Sequence, residues 1–243
     1  MSLCIPVRNF SYSTVEDDRK LHYESIKKYF RENSQTENNL QQRKIFGLCM
    51  SLLEDIVQKN PEINKVIDVG FGTGDFTLEF AKHFPQFKQV IGIDFLKEIV
   101  DIAQEKTENY KQVTFMQGDA MNMPFNDRNF DITICMDVLH HTYSKDFTKA
   151  IGELARVTNR YIILEIRNKK NIFHFWYTHI LQPIFYNALA IYNTAINEVN
   201  NIIKNYDFKL EVARRIASSR WNCRRLVLMY KRINANKHFE EIY

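Results

Sequence analysis

Five short apolar, largely β-branched runs, KVIDV (65–69), QVIGID (89–94), VTFMQGD (113–119), FDITICM (130–136) and RYIILEI (160–166), alternate with stretches whose apolar residues recur at helical spacing. Among the helical stretches are Phe76, Phe80 and Phe84; Ile99 and Ala103; and Phe147, Ala150, Ile151 and Leu154. Near-continuous apolar strands suit a sheet covered on both faces, and strand–helix alternation predicts a doubly wound, mostly parallel α/β sheet. Before the first strand, Ile45, Leu48, Leu52 and Ile56 mark a helix over about 40–59 that Pro61 ends. After the fifth, FKLEVARRI (208–216) and CRRLVLMYKRI (223–233) read as a terminal hairpin. The expected divisions are an N-terminal helical extension over 1–39, the α/β domain over 40–233 and a loose tail over 234–243. Within the domain, 171–206 is expected to be a helical lid bearing the substrate region.

Composition sets outer bounds. The 243 residues suffice for one buried α/β domain, and a net charge of +4 implies no large field for polyanions. Four cysteines, Cys4, Cys49, Cys135 and Cys223, lie far apart, with no CxxC pair and no histidine at ligand spacing. A reduced cytoplasmic protein without a metal site is expected, and the N-terminus has no signal-peptide pattern.

Ligands of such sheets bind beyond the carboxyl ends of the strands, where Asp68, Asp94, Asp119 and Asp137 fall. The first of these ends reads VIDVGFGTGDFTLEF (66–80), with Gly70, Gly72 and Gly74 on alternate positions. Glycines that crowded are costly in chain entropy, so something must approach this backbone closely. A dinucleotide fingerprint needs a third small residue where Asp75 stands, and a carboxylate would repel a pyrophosphate. S-adenosyl-L-methionine carries a sulfonium and no phosphate, so acids around the loop favour it. The structural alternatives are a tight turn for the glycines, a helix cap for Asp68 and a first-turn acid for Asp75.

These motifs, in this order over about 40–166, resemble the class I S-adenosylmethionine-dependent methyltransferases. The resemblance implies a seven-stranded Rossmann-like sheet. It also implies a cofactor site (leaving S-adenosyl-L-homocysteine as product) lined by Asp68, Gly70, Phe71, Gly72, Gly74, Asp94, Phe95, Gly118, Asp119, Ala120, Met136 and Asp137. Asp94 would hold the ribose hydroxyls, the Gly118-Asp119-Ala120 turn would meet the adenine, and Asp137 to His141 would cover the methionine end. Either His141 or His140 is a candidate base for a hydroxyl or an acidic carbon.

The loop C135-M-D-V-L-H lacks the Asn/Asp-Pro-Pro-aromatic stretch used on exocyclic amines, and Cys135 lacks the proline that precedes the nucleophile of cytosine C5 enzymes. The layout from Leu164 to Pro183 is similar to the ubiquinone/menaquinone C-methyltransferases, although their Arg-Asn loop is His140-His141-Thr142 here. A small apolar, aromatic or lipid-like acceptor methylated at carbon or oxygen is expected, with Tyr143, Phe173, Trp176 and Tyr177 lining its pocket. Transient membrane-surface contact through 172–186 and a monomer or homodimer complete the expected partners, with nucleic acid disfavoured. The alternatives are an RNA or protein methyltransferase using Arg214, Arg215, Arg220, Arg224, Arg225, Lys231 and Arg232 as a basic patch, or a non-catalytic cofactor-binding subunit.

Overall fold

Near-continuous burial along the central strands leaves two apolar faces to be covered, and helices cover both. The computed structural model describes residues 15–33, 40–168, 193–216 and 225–233. Its strands are β1 (Lys65–Val69), β2 (Gln89–Asp94), β3 (Val113–Gln117), β4 (Phe130–Cys135), β5 (Thr158–Arg167), β6 (Phe208–Arg215) and β7 (Arg225–Arg232). They form a seven-stranded sheet in the order β3-β2-β1-β4-β5-β7-β6. Strands β1 to β5 pair in parallel, and β7 runs antiparallel between β5 and β6. The chain reverses its lateral direction between β1 and β4, so a crevice opens at their carboxyl ends.

Successive residues of a strand point to opposite faces. Val66, Ile132, Ile134 and Ile163 thus join one core with α2 (Leu40–Lys59), α3 (Asp75–His83) and α4 (Lys97–Gln104). Ile67, Val69, Cys135 and Leu164 join the other, beneath α5 (Phe147–Val157) and the helix α6 (Ile196–Ile203). Strand β3 stops short of the run read from sequence because Asp119 turns the chain, its Oδ1 accepting from Met121 N at 2.8 Å, and β4 stops at Cys135, two residues before Asp137 takes a positive φ. Part of the expected lid is core instead: Val199 and Ile203 of α6 are fully buried against α5. Residues 171–192 of the lid, with Phe173, Trp176 and Tyr177, lie outside the described residues, as does the tail. Among the described residues no helix is long and apolar enough to cross a membrane.

Helix α1 (Val15–Asn33) lies along the loop after β4. Ile26 is buried, His22 Nε2 donates to His141 O at 2.8 Å, and Tyr23 Oη donates to Asp146 Oδ2 at 2.9 Å. Arg19 reaches the same carboxylate at 2.6 Å, and Arg31 pairs with Glu98 on α4 at 3.0 Å. One helix therefore links the segments that follow β2 and β4.

Candidate cofactor and acceptor site

All three glycines of the first loop have positive φ (75°, 58° and 79°), a region L side chains rarely adopt. Their reasons differ. A Cβ on Gly70 would overlap Val138 Cγ2, so the loops after β1 and β4 touch there. A Cβ on Gly74 would sit 2.8 Å from Phe115 Cζ and 3.0 Å from Ala103 Cβ, where α3 packs on α4 and β3. A Cβ on Gly72 would meet nothing within 4 Å. The protein itself crowds two of the glycines, and only Gly72 presents bare backbone to open space. This corrects the expectation that one ligand explains all three. The ring of Phe71 is buried 4.4 Å from that of Phe115. Met136 likewise buries its side chain in the core.

The acids stand around this opening. Asp68 is 3% exposed, its Oδ2 accepting from the Thr77 hydroxyl at 2.5 Å. Burial, with the charge of Asp94 adding to it, pushes Asp68 up to about 7. Asp94 closes β2 with Oδ1 on Leu96 N at 3.0 Å. Burial pushes it up to about 6, against backbone N–H groups including those of Leu96, Gly72 and Phe95. Gly118 N donates to Asp94 O at 2.9 Å, which ties the β2 and β3 ends together and sets the exposed Asp119 beside them. Asp75 is a first-turn acid, bound to Thr73 Oγ1 and Lys106 Nζ at 2.7 Å each.

The loop after β4 turns at Asp137, whose φ is 62°, into a 3₁₀ turn at Leu139–His141. His141 packs edge-on to Phe30 of α1 and burial pushes it down to about 3. His140 is 1% exposed and held well below the ordinary histidine range by burial, with His141 and Arg167 adding to it. Both rings are neutral at physiological pH and, unaided, weak bases. Tyr143 N donates to Tyr23 Oη at 3.3 Å, which places Tyr143 beside α1.

Sequence reasoning missed the residues behind this loop. Glu165 on β5 is fully buried, and Arg167 and Arg225 are direct cross-strand partners on β5 and β7. Like charges so placed repel. Asp137 relieves this: its Oδ1 pairs with Arg225 Nη2 and lies 3.4 Å from Arg167 Nη2. An acid inside the apolar run RYIILEI was the available signal, invisible as a site until β7 supplied its partner. The α1 residues Arg19, His22, Tyr23 and Phe30 were missed because nothing local ties that helix to the loop after β4.

The expected basic patch disperses. Arg225 belongs to this cluster, and the buried Arg232 donates to Ala155 O at 3.0 Å and Thr158 O at 2.7 Å, satisfying carbonyls where α5 ends. Arg214, Arg215 and Lys231 are exposed, and Arg220 and Arg224 lie outside the described residues.

Comparison with known proteins fits this arrangement. Residues 66–160 match the methyltransferase domain family. The chain is 30% identical over 132 residues to demethylmenaquinone methyltransferase of Bacillus licheniformis, covering 51% of this chain and 56% of that protein. It spans about half the length of the curated relatives it matches. The solved magnesium protoporphyrin IX methyltransferase of Synechocystis, with bound S-adenosylhomocysteine, superposes with a TM-score of 0.66 at 19% identity, covering 90% of this chain and 100% of that one. The cyclase SpnF superposes at 0.57 with 16% identity over 75% and 80% of the two chains, so the fold by itself does not name a reaction. With the ordered glycine loop and strand-end acids on that fold, residues 66–160 form a methyltransferase domain of the class I S-adenosylmethionine-dependent family.

Proposed function

We propose that the protein binds S-adenosylmethionine across the carboxyl ends of β1 to β4 and transfers its methyl group to a small apolar or aromatic acceptor at carbon or oxygen. The observation that carries this is Gly72: left-handed backbone facing open space, between the buried Asp68 and the partly exposed Asp94. A side chain there would fill the space, and the donor set around it suits a cation, an ammonium and a vicinal diol. Asp94 with the Phe95 backbone would take the ribose, Gly118, Asp119 and Ala120 the adenine, and the backbone of Gly70 to Gly72 with Asp68 the amino-acid end. The cofactor supplies an activated methyl when bound. The protein aligns the acceptor and excludes water, and alignment at ~3–3.5 Å can supply most of the acceleration. We place the acceptor over the loop after β4, between Tyr143, α1 and the Asp137–Arg167 edge. The relatives described as demethylmenaquinone methyltransferases support an aromatic acceptor, and reduced 1,4-naphthoquinone is the first probe.

Titration calorimetry with S-adenosylhomocysteine tests the cofactor half. Asp94→Ala should weaken binding at least about tenfold, ~1.4 kcal/mol, as loss of a charge-assisted bidentate contact predicts. Methyl-labelled cofactor incubated with the naphthoquinol and with lipid, RNA and protein fractions of a cell extract tests the rest. Label in RNA or protein overturns the small-molecule reading. Binding without any transfer leaves a cofactor-binding protein that is not a transferase.

A further inference from the structure

Glu165 is a buried acid that faces two guanidinium groups and one imidazole. It is 0% exposed, its neighbours Ile162, Ile163, Leu164 and Ile166 are apolar, and neither carboxylate oxygen accepts a hydrogen bond among the described residues. A buried carboxylate without hydrogen bonds carries a desolvation penalty that its ion pairs have to offset. The groups facing it are Arg225 Nε at 3.3 Å from β7, Arg167 Nε at 4.0 Å on its own strand, His140 Nδ1 at 3.7 Å from the loop after β4, and the buried thiol of Cys135 on β4.

His140 is held between two of these. Arg167 Nη2 lies 3.2 Å from His140 Nε2, and a guanidinium can only donate. Nε2 is therefore the accepting nitrogen, assigned from this network, and the ring proton sits on Nδ1, directed at Glu165 Oε2. Nε2 also lies 3.5 Å from Asp137 Oδ1. Asp137 and Arg167 are the cluster's partly exposed members, with 21% and 19% of their side chains accessible, while Glu165, His140 and Arg225 lie behind them. The order from the surface inward is acceptor edge, imidazole, carboxylate.

A metal ion is the competing occupant, because one donor atom each of Asp137, His140 and Glu165 lies within 4.8 Å of the others. Charge argues against it. Two carboxylates already face two guanidinium groups, and a divalent ion would leave an excess positive charge in a buried site.

We infer that Glu165 is a positioning residue that acts through His140, fixing its tautomer and stabilising its protonated form so that Nε2 can take a proton from an acceptor hydroxyl or acidic carbon docked at the Asp137–Arg167 edge. The inference rests on the methyl-transfer reading above. The acceptor displaces Arg167 from Nε2 and its proton passes to that nitrogen. The acceptor atom forms its bond to the methyl carbon as the carbon–sulfur bond breaks, the electron pair staying on sulfur. The His140 proton then leaves to solvent. Neither histidine suits this alone; among the described residues Glu165 is the one acid facing the buried Nδ1 side of His140.

Two measurements on the full chain bound to S-adenosylhomocysteine decide it. Carbon-13 NMR of the glutamate carboxyls, with Glu165 assigned by its loss in Glu165→Gln, follows its titration. His140→Gln should raise the Glu165 midpoint, because it removes the ring N–H directed at Oε2 from 3.7 Å. An unmoved midpoint overturns the coupling. Next, labelling of whichever extract fraction the wild type labels is followed against pH. Glu165→Gln should slow it at least about tenfold and lose the rate's dependence on the Glu165 carboxyl, which burial pushes up to about 7, with S-adenosylhomocysteine affinity within about twofold. Glu165→Asp should recover part of the rate, and the double variant with His140→Gln should be no slower than either single one. A wild-type rate and pH profile in Glu165→Gln sinks this inference alone. Cofactor binding with no fraction labelled by the wild type sinks the methyl-transfer reading and this inference with it. Saturable Mg²⁺, Mn²⁺ or Zn²⁺ binding that Glu165→Gln abolishes overturns it in favour of a metal site.

Discussion

Substituting alanine in turn for Gly70, Gly72 and Gly74 should separate what packing demands of the first loop from what the cofactor demands. Each alanine would be held at positive φ, which costs about 1–2 kcal/mol by backbone sterics. At Gly72 that is the whole stability cost, because the added Cβ meets no protein atom. For a domain of this size it corresponds to a fall in Tm of roughly 2–8 °C. At Gly70 and Gly74 the new methyl also strikes Val138 and the Phe115–Ala103 contact, and overpacking adds about 1–3 kcal/mol. The expected order of melting is wild type, then Gly72→Ala, then the other two. Val138→Ala removes the obstructing γ-methyls, so a double-mutant cycle should return about 1–3 kcal/mol to Gly70→Ala and nothing to Gly74→Ala. Binding should run the other way. Gly72→Ala should lose at least about tenfold in S-adenosylhomocysteine affinity, whereas Gly70→Ala with Val138→Ala stays close to the Val138→Ala parent. Thermal melts and calorimetry on the wild type and six purified variants suffice. Equal melting of all three glycine variants, or wild-type affinity in Gly72→Ala, would refute the division of roles.

Stability should depend on pH through Asp68. Its folded pKa of about 7 lies above the ordinary value of 3.8, so its contribution is full below about pH 4 and is lost as pH rises through 7. The ceiling is about 4 kcal/mol, from roughly 1.36 kcal/mol per unit. Asp68→Asn should thus melt higher than wild type at pH 8 and close to it at pH 4, and a parallel pair of melting curves refutes the assignment. The clamp between α1 and the loop after β4 predicts that Tyr23→Phe with Arg19→Gln, both partners of Asp146, will speed amide exchange across α1 while β1 to β5 are unchanged. Exchange that accelerates across the sheet as well would show α1 to be part of the cooperative core.

The fold was legible because it is written in local periodicity. Runs such as QVIGID and FDITIC have no solvent face and must be strands buried on both sides, and the stretches between them carry one apolar stripe each. A chain that alternates the two has few ways to bury both faces, so the parallel order around β1 and β4 followed, and with it the crevice carrying Asp68, Asp94 and Asp119. Positive φ at three alternate glycines was equally readable, since only glycine tolerates it cheaply. Which glycine serves a ligand was not. Gly70 and Gly74 answer to Val138 and Phe115, residues 68 and 41 positions away that only the fold brings near. Glu165 makes the same point from the other side. In sequence it interrupts an apolar strand, and its meaning came with Arg225, placed beside it by an antiparallel strand from the far end of the chain. Local sterics and hydrophobic period are encoded residue by residue. The pairing of buried charges is set by long-range contacts, and it was the tertiary structure that decided which acid, which arginine and which histidine share a site.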